Sequence, residues 1–168
     1  LGAVWAHPGL VFGQTCWGPM ERGLARHVEV VGQPDYSAFE GGQGKLYSSA
    51  VVMRAGTRGA RPAPADGGVN LPVFLMRGRR LAFNGIDSMS GLLALQRDLL
   101  QLGEGIEMFS ERLQAGSHRN SIEAVADGRA DVAAIDCMSW ALARRFLPAA
   151  NAVVVVGWTA PRPGLPFI

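Results

Sequence analysis

The chain has 168 residues, 48% hydrophobic and 18% charged, with a formal net charge of +2. These proportions fit one domain or two small lobes and exclude a disordered chain. The charge is too small to recruit nucleic acid, and short basic groups such as RGRR (Arg77 to Arg80) and Arg144–Arg145 read as solvated surface. No apolar run nears the roughly 20 residues that cross a bilayer. The longest, NAVVVVGW, is of strand length and rich in β-branched residues, and the start, LGAVWAHPGL, carries no signal-peptide pattern.

In chain order, GLVFGQTC (Gly9 to Cys16) predicts a short strand and GPMERGLARH a short helix with proline near its start. VEVVGQP predicts a strand stopped by Gly32 and Pro34. EGGQG is a glycine-rich loop, and GKLYSSAVVMRAG (Gly44 to Gly56) a long strand bounded by glycines. The Pro-, Gly- and Ala-rich TRGARPAPADGGVNLP is a surface loop. RRLAFNG is a strand, followed by the amphipathic helix SGLLALQRDLLQLG with leucines at 92, 93, 95, 99 and 100. EMFSERLQAG is a strand, SHRNSIEAVADG a helix, ADVAAID a buried strand and SWALARRFLP a helix ended by Pro148. NAVVVVGWT is the last strand and PRPGLPFI an extended tail. Strands joined by helices of this length imply an α/β fold of parallel β-α-β units.

In open α/β sheets, ligands bind beyond the carboxyl ends of the strands. Four predicted strands deliver small polar or titratable groups there: Thr15 and Cys16; Asp87, Ser88, Met89 and Ser90; Ser117 and His118; and Asp136, Cys137, Met138 and Ser139. A helix N-terminus carries unpaired N–H groups and partial positive charge, so Ser88, Ser90 and Gly91 suit an oxyanion. Asp87 or Ser88 could equally cap the helix, and Ser117, His118 and Asp136 could do the same at theirs. His118 could also donate to an anion or act as a base. Asp136 could accept a proton from a ligand oxygen, hold a cation or cap the helix of Trp140. Tyr47, on the long strand, points into either a cleft or a core.

Hydrolase elbow, zinc-protease, Walker and dinucleotide motifs are absent. His7, His27 and His118 show no metal spacing with the cysteines, and no cofactor or metal is expected. Cys16 and Cys137 lie 121 positions apart, which excludes a CxxC pattern and leaves pairing open. Either thiol with His118 would be the Cys–His nucleophile of an enzyme, though nothing in the sequence orients such a pair.

LVFGQTCWGPM, YSSAVVMRAG, LAFNGIDSMSG, AGSHRNSIEAVADGRADVAAIDCMSWAL and GWTAPRPGLPFI, in this order, resemble the phosphate/phosphite/phosphonate substrate-binding proteins of ABC transporters. The resemblance implies a two-lobe α/β, type II periplasmic-binding fold, here lacking N- and C-terminal portions. Lobe one would hold residues 1–50 plus 157–168 and lobe two residues 51–156, with hinge-crossing strands at about 47–54 and 153–158. The family's serine-rich helix start falls on Ser88, Met89 and Ser90, where Met89 offers only its N–H. The family histidine falls on His118 and the acid on Asp136, while Thr15, Cys16, Trp17 and Tyr47 would contribute from lobe one. Together with Ser117 these are the expected ligand contacts. The resemblance further implies a non-catalytic, periplasmic or extracytoplasmic binder of a small oxyanion, serving an ABC transporter permease, with an export signal before Leu1. An unpaired sheet edge would allow a homodimer. Alternatives are a sensory ectodomain, a carrier of another organic ligand such as a thiamine precursor, or the Cys–His enzyme.

Overall fold

The computed structural model describes residues 2–57 and 61–168. Part of the predicted surface loop, residues 58–60, lies outside them. In chain order the elements are α1 (Gly2–Trp5), α2 (Trp17–Glu21), β1 (Gly42–Gln43), β2 (Leu46–Tyr47), β3 (Ser49–Arg54), α3 (Val73–Met76), β4 (Arg80–Phe83), α4 (Ala94–Gln101), β5 (Glu111–Gln114), α5 (His118–Ala126), β6 (Val132–Asp136), α6 (Cys137–Phe146), β7 (Val153–Trp158) and β8 (Arg162–Pro163). A five-stranded sheet runs β5-β4-β6-β3-β7, and a small three-stranded sheet runs β1-β2-β8.

The larger sheet is a three-layer sandwich because its strands alternate. Val51 and Met53 of β3, Leu81 and Phe83 of β4, and Val132 and Ala134 of β6 meet Leu95 and Leu99 of α4. Their neighbours Ala50, Val52, Ala82, Ala133 and Ile135 face the opposite way, against Ile122 and Val125 of α5 and Trp140 of α6. The edge strand β5 is exposed throughout and carries Glu111 and Arg112, charges that blunt an open edge.

The expectation of parallel units holds for β4, β5 and β6, which pair in parallel. It fails at β3, which lies antiparallel to both β6 and β7. β3 leaves the edge at which β6 and β7 end, so it alone runs the other way. Its first residue, Ser49, therefore stands opposite Asp136, the last of β6.

Other sequence expectations need correction. Gly9–Cys16 and Val28–Pro34 form no strands: Gln14 and Gly32 each make one isolated bridge to Phe167, in the C-terminal tail. Val11 and Phe12 accordingly stay exposed. The predicted helix after Trp17 is interrupted at Gly23 and resumes as a 3-10 turn over Leu24–Arg26. The long strand from Gly44 breaks at Ser48, whose N–H donates to the Gly41 carbonyl at 2.7 Å and whose carbonyl accepts from Cys137 N–H at 3.1 Å. The chain thus passes from the small sheet to the large one at Ser48 and returns across Thr159–Pro161.

Candidate ligand-binding site

Three parallel strands end at one edge, and each hands over to a helix. After β4 the chain turns through Asn84–Ser88 into a π-type turn, Met89–Leu93, which leads directly into α4. The wide turn is visible in the Leu93 N–H, which donates five residues back to the Ser88 carbonyl at 3.0 Å. Such turns are uncommon and concentrate at functional sites. Ser88 Oγ caps the turn by accepting from Gly91 N–H at 3.1 Å. Gly91 packs closely there: a Cβ would fall 2.7 Å from Asn84 Oδ1, so the Asn84 side chain would have to shift.

After β5, Ser117 Oγ caps α5 by accepting from Asn120 N–H at 3.1 Å, which sets His118 as the first helical residue. After β6, Asp136 Oδ1 caps α6 by accepting from Ser139 N–H at 2.8 Å. The other Asp136 oxygen lies 3.1 Å from His118 Nε2, and the same nitrogen lies 2.9 Å from Ser90 Oγ. Ser90 and Asp136 are 5% and 3% exposed.

Both partners share Nε2, while Nδ1 is buried without a partner. A carboxylate can only accept, so Nε2 carries the proton. In a Ser–His–Asp relay the carboxylate holds the nitrogen remote from the hydroxyl; that arrangement is not met.

The antiparallel course of β3 brings Tyr47 to the same place. Its phenol is fully buried and makes no hydrogen bond. Burial and the negative charge of Asp136 push its pKa far above the ordinary value, which the nearby Ser90 hydroxyl only partly opposes. The ring packs on Tyr36, with centroids 5.4 Å apart. Burial raises the Asp136 pKa, but the bonds and charge of His118 and the Ser139 bonds outweigh it and hold the carboxyl below its ordinary value. Group by group, Ser90, His118, Asp136 and Tyr47 converge. Ser88 and Ser117 act as caps beside them, as the sequence left open. The Met89 side chain lines a separate cleft of about 460 Å³ with Trp17, Leu93, Arg97 and Arg162. Thr15 is 2% exposed and its hydroxyl also lacks a partner.

The α2 start closes this edge. Gly18 lies against the Asp87 carbonyl so closely that a Cβ would approach it to 1.8 Å, and Cys16 Sγ donates to the same carbonyl at 3.7 Å. Cys16 and Cys137 are both free thiols. Burial pushes Cys137 up to about 12, helped by the Asp136 charge, and raises Cys16 despite the N–H groups of Met89 and Gly18. Both shifts run opposite to the lowered pKa of an activated thiolate. Sequence reasoning missed Asn84, whose buried Oδ1 is unpartnered beside Gly91, and Tyr36. Asn84 was detectable as the polar residue that ends an apolar strand; Tyr36, in a stretch with no periodicity, was not.

Because the folded pKa of Asp136 is lowered, its stabilising contribution is full above the ordinary value of 3.8 and is lost as pH falls through the folded value. Urea unfolding from pH 7 down to 3 is expected to lose stability below about pH 4, and Asp136→Asn to flatten part of that slope.

Among the described residues no group of three His, Cys, Asp or Glu side chains could hold a metal, and no helix is long and apolar enough to cross a membrane. The family described as "ABC transporter, phosphonate, periplasmic substrate-binding protein" matches residues 24–168. No curated protein matches the chain by sequence. Among solved structures, the chain is similar to PhnD1 of Prochlorococcus marinus in complex with methylphosphonate, with TM-score 0.76 and 17% identity over 99% of this chain and 58% of that one. It is similar to a binding protein component of an ABC phosphonate transporter from Pseudomonas aeruginosa, with TM-score 0.73 and 14% identity over 99% and 52%. A Xanthomonas citri protein bound to chloride follows, with TM-score 0.65 and 18% identity over 99% and 59%. These likenesses establish a mixed α/β fold of the type II periplasmic-binding class. The chain spans somewhat more than half the length of each of these structures.

Proposed function

Since the chain belongs to the family of periplasmic phosphonate-binding proteins of ABC transporters, we propose that it holds a small oxyanion (a phosphonate, phosphite or phosphate) in a cleft between two lobes and delivers it to a transporter permease outside the cytoplasm. The observation that carries this reading is the buried Ser90–His118–Asp136 chain beside the unpartnered hydroxyl of Tyr47. Buried polar groups are almost always hydrogen-bonded. An unmet donor at this strand edge is what an anion would satisfy.

Lobe one comprises residues 1–50 with 157–168 and lobe two residues 51–156, the chain crossing along the strands at about 47–54 and 153–158. Residues from both lobes then surround the anion. Tyr47 and Thr15 donate from one side, Ser90 and the N–H groups of the Met89 turn from the other, while His118, its Nε2 proton directed at Asp136, orients Ser90. Neutral donors suffice because a water-excluded cleft strengthens each bond. Asp136 keeps acceptor capacity beyond its bonds to His118 and Ser139, since a carboxylate offers about four lone-pair sites. It accepts from a protonated ligand oxygen and repels a fully deprotonated one, so monoanions are preferred.

Isothermal titration with methylphosphonate, phosphite and phosphate tests the reading. Ser90→Ala is expected to weaken binding of the preferred anion by about 1–3 kcal/mol, the range for a buried hydrogen-bond partner. Absence of heat with all three anions would remove the ligand assignment.

A further inference from the structure

Asp98, in the middle of α4, is 0% exposed, yet it is a carboxylate in a helix whose buried face is otherwise apolar. Both of its oxygens are engaged outside the helix. Oδ2 accepts from Ala160 N–H at 2.7 Å, and Oδ1 pairs with the Arg162 guanidinium. Arg162 Nη1 also donates to the Pro161 carbonyl at 2.9 Å. Ser49 holds the crossing at Thr159, whose N–H donates to the Ser49 carbonyl at 3.0 Å, and Asp98 holds the remainder, at Ala160 and Arg162. A buried ion pair adds little stability over an apolar pair of the same volume; what it supplies is a single geometry.

Its two ends lead to the two halves of the candidate site. At one end α4 is continuous with the turn Met89–Leu93, and Asp98 stands eight residues, about 12 Å of helix, beyond Ser90. At the other end Arg162 pairs directly with Tyr47 in the β2–β8 register. We propose that Asp98 is a positioning residue: through Arg162 it sets the distance between the Ser88–Ser90 turn and Tyr47, so that both reach one ligand. The binding arm of this proposal rests on the oxyanion reading; the mechanical arm does not.

Amide hydrogen exchange of the 168-residue chain without ligand tests the mechanical arm. Asp98→Asn keeps the shape and an acceptor for Ala160 but removes the charge. Exchange is expected to accelerate about ten-fold in both Met89–Leu93 and Leu46–Tyr47, while β4 and β6 stay as in the wild type. Arg162→Met is expected to do the same, and Arg162→Lys, which retains the charge, to remain within about three-fold of the wild type. Acceleration confined to residues 159–163, or spread over the entire sheet, would overturn the proposal. Titration with methylphosphonate supplies the second arm. Asp98→Asn is expected to weaken binding about ten-fold, but less than two-fold in a Tyr47→Phe background, because the residue acts through Tyr47. An equal loss in both backgrounds would overturn the positioning role. Coupled exchange in a wild type that binds no methylphosphonate would uphold the coupling and count against the oxyanion reading alone.

Discussion

Asp136→Ala is expected to destabilise the chain by about 2.5–4 kcal/mol, and Asp136→Asn by about 1.5–3 kcal/mol. Alanine removes the N-cap of α6, about 1 kcal/mol, together with a charge-assisted bond to His118, about 1.5–3 kcal/mol. Asparagine caps as well as aspartate, so it loses only the second contribution. Urea unfolding at pH 7 separates the two: equal losses would mean that the cap adds nothing, and an unchanged Asp136→Asn would mean that His118 draws nothing from the carboxylate. For ligand binding the order is expected to compress. Both variants lose the negative charge that selects a protonated anion, so both are expected to bind methylphosphonate weakly and with less pH dependence than the wild type.

Tyr47→Phe is expected to do two opposite things. Without ligand the phenol is buried and unpartnered, a condition that costs about 1–3 kcal/mol, so its removal is expected to stabilise the fold by about 1 kcal/mol. Methylphosphonate affinity is expected to fall about ten-fold, because the lost hydroxyl is one that the anion would have satisfied. Thermal unfolding and titration of the same sample read both effects. A destabilised variant would mean that the hydroxyl already has a partner and is not held for a ligand. The pairing of a stability gain with an affinity loss is the signature of a binding site, where strain or unmet polarity persists because function requires it.

Much of the larger sheet and of α4, α5 and α6 was legible in the sequence because its signals are local. ADVAAID is a short apolar run between a glycine stop and a helix, and it forms β6 as expected. The leucines of the LLALQRDLL stretch follow a helical period and form the buried face of α4. Capping chemistry placed Ser88, Ser117 and Asp136 at strand-to-helix junctions, and each accepts an N–H there. Asp98 lies in the same helical segment, where a single acid in an amphipathic helix reads as solvent-facing. Only the packed fold places it at the crossing.

The predicted strands at Gly9–Cys16 and Val28–Pro34 failed for the converse reason. Their composition favours extension, but a strand exists only where a partner edge is offered, and here Phe167 alone is bridged to each. The break at Ser48 is likewise a decision of neighbours, because Gly41 and Cys137 claim its backbone groups.

By itself the sequence determined α4, α5, α6 and the buried strands of the larger sheet, and which small polar residues stand at their junctions, because periodicity and capping act within a few residues of chain. The tertiary structure alone decided that β3 runs against its neighbours, that Tyr47 therefore faces Asp136 and Ser90, and that Asp98 grips the return crossing. Direction within a sheet and the partner of a buried charge depend on residues tens of positions apart, and no local pattern encodes them.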